Sequence, residues 1–406
     1  MNYKEARQVC QENSNISARV LDEFLLYYAA EKNNLSKEAD RRLAPYTHIL
    51  GMLDKSWHNM LKSQYIIHRV LKEGGFIQKY LNHAAIKNLD DADRGWLAEQ
   101  ASTPWRFSFS VILENPEKDF FLMQDVFLGE DYMLFSPTIT DLIKKENYSL
   151  WFNLIGFNGS CWQTYGPLAA YKSFDADDIF FFATEVNPEI EDEDDLLVDV
   201  ERNPVPYMMI YAQSDYPVTM HEDNMIVTAI SEFEEVELGG ENLEEDFEIE
   251  TALEVKRLKL KGWGDFPHFA VAYYDGKFQF LQATAMTISG FEALANALNK
   301  YGVSISHDPD ILVKPAMMTA AGEILKREIE LMSMELLFED EDPSPQQQDS
   351  LDQLNLFLGK VIPLLNAGQE PDLEAIANEV GIDWEDYKDT IEEVIEDIKS
   401  KMKKRN

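Results

Sequence analysis

The chain has 406 residues, 45% of them hydrophobic and 12% aromatic, and its 74 acids against 36 bases give a net charge of −38. That apolar content builds packed cores and excludes global disorder, while the length calls for more than one domain. The acidity excludes nucleic acid held by direct phosphate contact and an anionic membrane surface. No apolar run reaches the ~20 residues of a spanning helix, the N-terminus lacks a signal-peptide core, and Cys10 and Cys161 set neither a disulfide framework nor metal-ligand spacing. A reduced, cytoplasmic protein is expected.

In chain order, residues 1–102 read as a helical region in which Leu21, Phe24, Leu25 and Tyr28 form an apolar stripe at helical spacing. A longer apolar pattern runs from Leu43 to Leu71 and stops at Gly74-Gly75. At Pro104 the texture changes. WRFSFSVIL alternates apolar and polar side chains, and DFFLMQDV, DYMLFS, LWFNLIGF and DIFFFATEV follow at short intervals. Residues 103–186 are therefore expected as a small antiparallel β domain, sheet or barrel, with Gly166-Pro167 among its turns. Residues 187–202, rich in Asp and Glu, read as an acidic linker.

A second α+β domain is expected over residues 203–338. VPYMMIYAQS, NMIVTAISEFEEVEL, EDFEIETALEVKRLKL, HFAVAYYD and KFQFLQATA read as strands, with Asp275-Gly276 as a hairpin turn between the last two. SGFEALANALNKYG reads as a helix capped by Ser289 and ending at Gly302, and Thr319 to Phe338 as another. Residues 339–350 form a polar linker, and 351–406 a C-terminal helical segment. The fold class expected is α+β and multidomain.

One short motif points to chemistry. Gly159-Ser160-Cys161-Trp162 resembles the end of the signature around the nucleophile of papain-like cysteine proteases, and Pro267 to Tyr274 resembles the strand that carries the family's histidine. The resemblance covers about a dozen residues and implies Cys161 as nucleophile with His268 as base. Three departures stand beside it. Ile155 occupies the position of the oxyanion glutamine, the orienting asparagine is missing, and Gly166-Pro167 interrupts the helix that the cysteine should open. Residues 121–137, FLMQDVFLGEDYMLFSP, carry an Asp-x-x-x-Gly-Glu hairpin that resembles one accompanying SEC-C-motif proteins, and they imply no role by themselves.

His48, His58 and His68 recur every ten residues, which turns them onto different faces of a helix, so no metal site is expected there. No cofactor motif appears: the nucleotide-binding glycine patterns and the serine nucleophile elbow are both missing. LEAIANEVGIDWEDYKDTIEEVIEDI has the outline of a helix-turn-helix, but its second helix is acidic, and a helical hairpin for packing or for a protein partner is expected instead. The expectation is a non-enzymatic interaction or scaffolding protein with a basic protein partner. The alternative is a cysteine hydrolase using Cys161 and His268.

Overall fold

A computed structural model describes residues 1–239, 242–263, 267–329, 331, 333–338, 357, 360–361, 365, 371–382, 384, 388, 391 and 395. The chain divides into two compact units, Met1–Met332 and Ser333–Asn406. Helices and several sheets coexist, so the fold is mixed α+β. Among the described residues, no helix is long and apolar enough to cross a membrane.

The N-terminal residues are helical, as their apolar spacing predicts. The main helices are Tyr3–Ser17, Leu26–Lys32, Leu35–Leu43, Lys55–Leu71 and Asp91–Ser102. The first two are joined through a π-helical stretch, Ala18–Leu25, that turns Val20, Leu21 and Leu25 inward. The pattern from Leu43 to Leu71 is not one helix. It breaks ahead of Lys55, where the Asp54 carboxylate accepts the Ser56 N–H at 2.8 Å and starts a new helix.

Strands β1 (Arg106–Glu117), β2 (Phe120–Asp125), β3 (Asp131–Phe135), β4 (Leu150–Phe157) and β5 (Trp162–Tyr171) close a barrel in the order β1-β2-β3-β5-β4. Every pairing is antiparallel except the seam, where β3 meets β5 in parallel through Leu134 with Trp162 and Phe135 with Gln163. Gly166-Pro167, expected as a turn, lies inside β5 at a register shift opposite Phe152 and Leu154. Gly166 has φ +78°, and a Cβ there would meet the Gln64 side chain at 3.0 Å. The glycine thus makes a bulge under a helix rather than a strand end.

Phe107, Phe109, Phe152 and Leu154 of the barrel share one apolar core with Leu61, Ile67 and Leu71 of the helices and with Tyr207 and Met317 further along the chain. The changes of texture at residues 102 and 186 are changes of element type within that core. The other face of the same strands, turned into the barrel, carries Phe121, Met123, Leu134, Trp151 and Ile155.

Three apolar or acidic stretches fold differently from their local pattern. DIFFFATEV, expected as a strand, is part of the helix Ala176–Val186, which opens with a reciprocal cap between Asp175 and Asp178. The stretch expected as an acidic linker contains the helix Glu193–Arg202. Its acids crowd the N-terminal end, where the helix dipole favours negative charge, and Leu196 and Val200 pack into the core. VPYMMIYAQS is helical, Val205–Met209 continuing as a tight turn to Gln213, and nearly all of it is buried. An element buried on every side shows no apolar period, so sequence spacing cannot separate helix from strand there.

After a short hairpin of β6 (Met220–His221) and β7 (Asn224–Met225), the chain builds a six-stranded antiparallel sheet. Its strands are β8 (Thr228–Phe233), β9 (Phe247–Ala252), β10 (Val255–Leu260), β11 (Ala270–Asp275), β12 (Phe280–Ala285) and β13 (Ile311–Val313), in the order β13-β8-β12-β11-β10-β9. The Asp275-Gly276 turn joins β11 to β12 as expected. The helix Ile288–Lys300, capped by Thr287 rather than Ser289, lays Leu294 and Leu298 on Ala270, Ala272 and Ala283. EDFEIETALEVKRLKL, expected as one strand, is a hairpin of β9 and β10. It turns at Leu253 and Glu254 with φ +47° and +74°, so the turn lacks the glycine that would announce it.

The helix expected from Thr319 to Phe338 is Pro315–Leu325, followed by a short turn at Ser333–Leu337. In the second unit, the helix Leu373–Val380 is capped by Asp372 and ends at Gly381 with φ +86°. Ala377 packs with Phe357, Val361, Ile391 and Ile395. The linker at 339–350 and most of the second helix of the expected hairpin lie outside the described residues.

Candidate functional site

The NGSC stretch forms the turn that carries the chain from β4 to β5, at the barrel seam. Asn158 builds it. Its Oδ1 accepts the N–H groups of Ser160 and Cys161, both at 2.9 Å, and its own N–H donates to the Cys161 carbonyl at 3.0 Å. Gly159 takes φ +87°, which suits a glycine at the apex. The turn directs the Cys161 side chain away from solvent, leaving it 1% exposed.

There it meets the only other cysteine of the chain. Cys10, on the Tyr3–Ser17 helix, places its Sγ 3.2 Å from the Cys161 Sγ, and both thiols are free. Asn158 Nδ2 donates to Cys10 Sγ at 3.3 Å and lies 3.8 Å from Cys161 Sγ. The amide continues through Gln163 and Asn13 to the Trp96 indole. Phe120, Phe135 and Ala6 close the apolar side, and the Arg7 guanidinium lies over both phenyl rings while pairing with Asp119 at 2.7 Å.

The two sulfurs differ in acidity. The hydrogen bond between the two thiols holds the Cys10 thiol below its usual range against the effect of burial, with help from Asn158 and the Arg7 charge. That bond and burial push Cys161 far up. The Arg7 charge favours the thiolate form on the Cys10 side of the pair. An upward shift at Cys161 is the reverse of what a nucleophile needs.

The two residues that the protease resemblance would combine have separate partners. Among the described residues, the Cys161 sulfur has Cys10 and Asn158 as hydrogen-bond partners and makes no hydrogen bond to His268. His268 precedes β11, with its ring 5.0 Å from that of His221. Position 155, where the family keeps its oxyanion donor, is a fully buried isoleucine. The features that sequence reading missed are Cys10 and Asn158. The one available signal was that Cys10 is the chain's only other thiol.

Two further buried polar groups lie in the same unit. His68 is fully buried, with Nε2 2.7 Å from Glu201 Oε2 and Nδ1 without a partner. Burial lowers its pKa despite the carboxylate, so a neutral imidazole donates to Glu201. Burial works against the charge on Glu201, but bonds from His68 and the Phe107 N–H outweigh it and its pKa is lowered. Lys314, just after β13, reaches back to Asp175 and Asp178, with Nζ 2.8 Å from Asp178 Oδ2. Burial pushes Asp178 up to about 6; burial also opposes the charge on Lys314, but the two acids outweigh it and raise its pKa. Both groups are therefore charged at neutral pH. Among the described residues, no group of three or more His, Cys, Asp or Glu side chains is placed to hold a metal ion.

No family model matches this chain, and neither a curated protein nor a solved structure is similar to it.

Proposed function

We propose that this chain is a non-enzymatic interaction protein that binds a basic protein partner through exposed carboxylates. The observation that carries the reading is the acidic end of the Glu193–Arg202 helix. Glu189 and Glu191 through Asp195 are all exposed, and none has an ion-pair partner within 4.0 Å among the described residues. Asp192 caps the helix by accepting the Asp195 N–H at 2.9 Å, and Ile190 and Leu196 anchor the two sides in the core. The carboxylates are thus presented on a fixed frame. A fixed array of like charge loses little conformational entropy when an oppositely charged surface docks, and it steers the encounter.

The test is calorimetry of the full chain with a lysine-rich peptide as probe, at low and at high salt. Binding that weakens with salt, and falls about tenfold when Glu189, Glu191 and Glu193 become Gln and Asp194 becomes Asn, supports the reading. Asp192 and Asp195 stay, so the cap survives. Unchanged affinity in that variant overturns it.

A further inference from the structure

In a chain with twice as many acids as bases, an arginine without an acidic partner stands against the composition. Among the described residues, Arg41, Arg42 and Arg202 are in that position: none forms an ion pair within 4.0 Å or donates a side-chain hydrogen bond. Every other described arginine holds a carboxylate. The acids nearest Arg41 and Arg42 along the helix are diverted elsewhere. Glu38 accepts from the Tyr65 hydroxyl at 2.7 Å and from Arg69 Nε at 3.0 Å, and Asp40 pairs with Lys62 at 2.6 Å.

Two of these unpaired arginines share a place in the fold. Arg41 and Arg42, in the last turn of the Leu35–Leu43 helix, line an open cleft of about 440 Å³ together with Pro45, Tyr46 and Asn203. Asn203 ends the Glu193–Arg202 helix, so Arg202 is its immediate neighbour in the chain. The cleft thus combines two guanidinium groups from one segment with an amide from another far along the chain, and Glu38 and Asp40 are engaged by other groups.

We propose that this cleft binds a phosphate monoester of a ring-bearing small molecule, of nucleoside monophosphate size. Guanidinium groups bind phosphate oxygens bidentately through planar N–H pairs, and they do so best where no carboxylate competes. The volume lies in the range of small-molecule sites and exceeds what a bare phosphate fills. Pro45 and the half-buried Tyr46 supply an apolar and aromatic wall for a ring, and the Asn203 amide offers both a donor and an acceptor. The site is independent of the acidic ridge argued above, because its ligand carries the opposite charge.

The experiment is calorimetry of the full chain with adenosine monophosphate, adenosine and inorganic phosphate, on the native protein and on the R41Q/R42Q variant. Both arginines are exposed, so the variant is expected to melt like the native protein in circular dichroism. The expected result is binding of the monophosphate, no binding of adenosine, weaker binding of inorganic phosphate, and at least a tenfold loss of monophosphate affinity in R41Q/R42Q, about 1.4 kcal/mol. No binding of the monophosphate at millimolar concentration overturns the proposal, as does equal affinity in R41Q/R42Q. Inorganic phosphate binding as tightly as the monophosphate overturns the ring-bearing ligand. The Gln and Asn substitutions in the acidic ridge are expected to leave monophosphate binding intact, so the two proposals fail separately.

Discussion

The barrel and the six-stranded sheet solve the same problem, the unpaired edge of a β-sheet, in different ways. The barrel removes its edge by joining β3 to β5, and it buries polar groups both inside and against its outer face. Asp125 is fully buried beneath Ser108 Oγ at 2.7 Å and Arg106 at 2.7 Å, and His68 and Glu201 meet against the barrel's outer face. The sheet keeps its edges and makes them unattractive. β13 is short, and β9 turns Glu248 and Glu250 to solvent, where Glu250 pairs with Arg257 of the next strand. Polar groups in the barrel region depend on protein partners, whereas those on the sheet edge have water as an alternative. The same class of substitution should cost much in the first region and little in the second.

The largest expected effect is Phe109→Ala, which empties a site stacked on Phe152 at 4.3 Å between ring centres in the shared core. A loss of about 3–5 kcal/mol is expected in urea titrations. If helices and barrel are one core, circular dichroism and tryptophan fluorescence should shift together. Separate transitions would divide what the comparison treats as one region.

Next comes Lys314→Met, which leaves Asp178 buried without its ammonium partner where the sheet meets the Ala176–Val186 helix. The expected cost is about 3 kcal/mol at neutral pH. Because Asp178 already takes up its proton near pH 6, the cost should shrink at pH 5. A cost independent of pH would mean that the pair contributes packing rather than charge.

His68 sets a pH dependence of smaller size. Its folded pKa lies below the usual 6.5, so below that pH the unfolded chain binds the extra proton and stability falls as pH falls. The slope is at most about 1.4 kcal/mol per pH unit between pH 6.5 and the depressed folded value. His68→Gln, whose amide can still donate to Glu201, should flatten that part of the curve. Stability measured from pH 7 to 5 in both proteins decides the point.

The smallest effect is a gain, at the sheet edge. Leu253 and Glu254 hold left-handed backbone at a solvent-exposed turn, so the double substitution Leu253→Asn and Glu254→Gly should raise stability by about 1 kcal/mol. A loss would show that the Leu253 side chain, 83% exposed here, has a role in holding the hairpin.

Much of the fold was legible where one face of an element is wet. The stripe through Leu21, Phe24 and Leu25 and the Asp275-Gly276 turn record a boundary between core and water, whereas the alternation of WRFSFSVIL records an apolar outer face and a polar face, Ser108 and Ser110, enclosed in the barrel; all three form the expected elements. The candidate site was barely legible. The cysteine turn resembles a nucleophile loop in sequence, but its partner Cys10 reaches it only through the fold.

The sequence by itself determined that the chain is mixed α+β, acidic, and helical at its start. Only the tertiary structure decided that DIFFFATEV and VPYMMIYAQS are helices, because a short continuous apolar run carries no period that separates helix from strand. It also decided that Cys161 faces Cys10 and that Arg41, Arg42 and Asn203 share a cleft. Those contacts arise from packing between segments far apart in the chain, and local spacing holds no record of a neighbour that arrives through the fold.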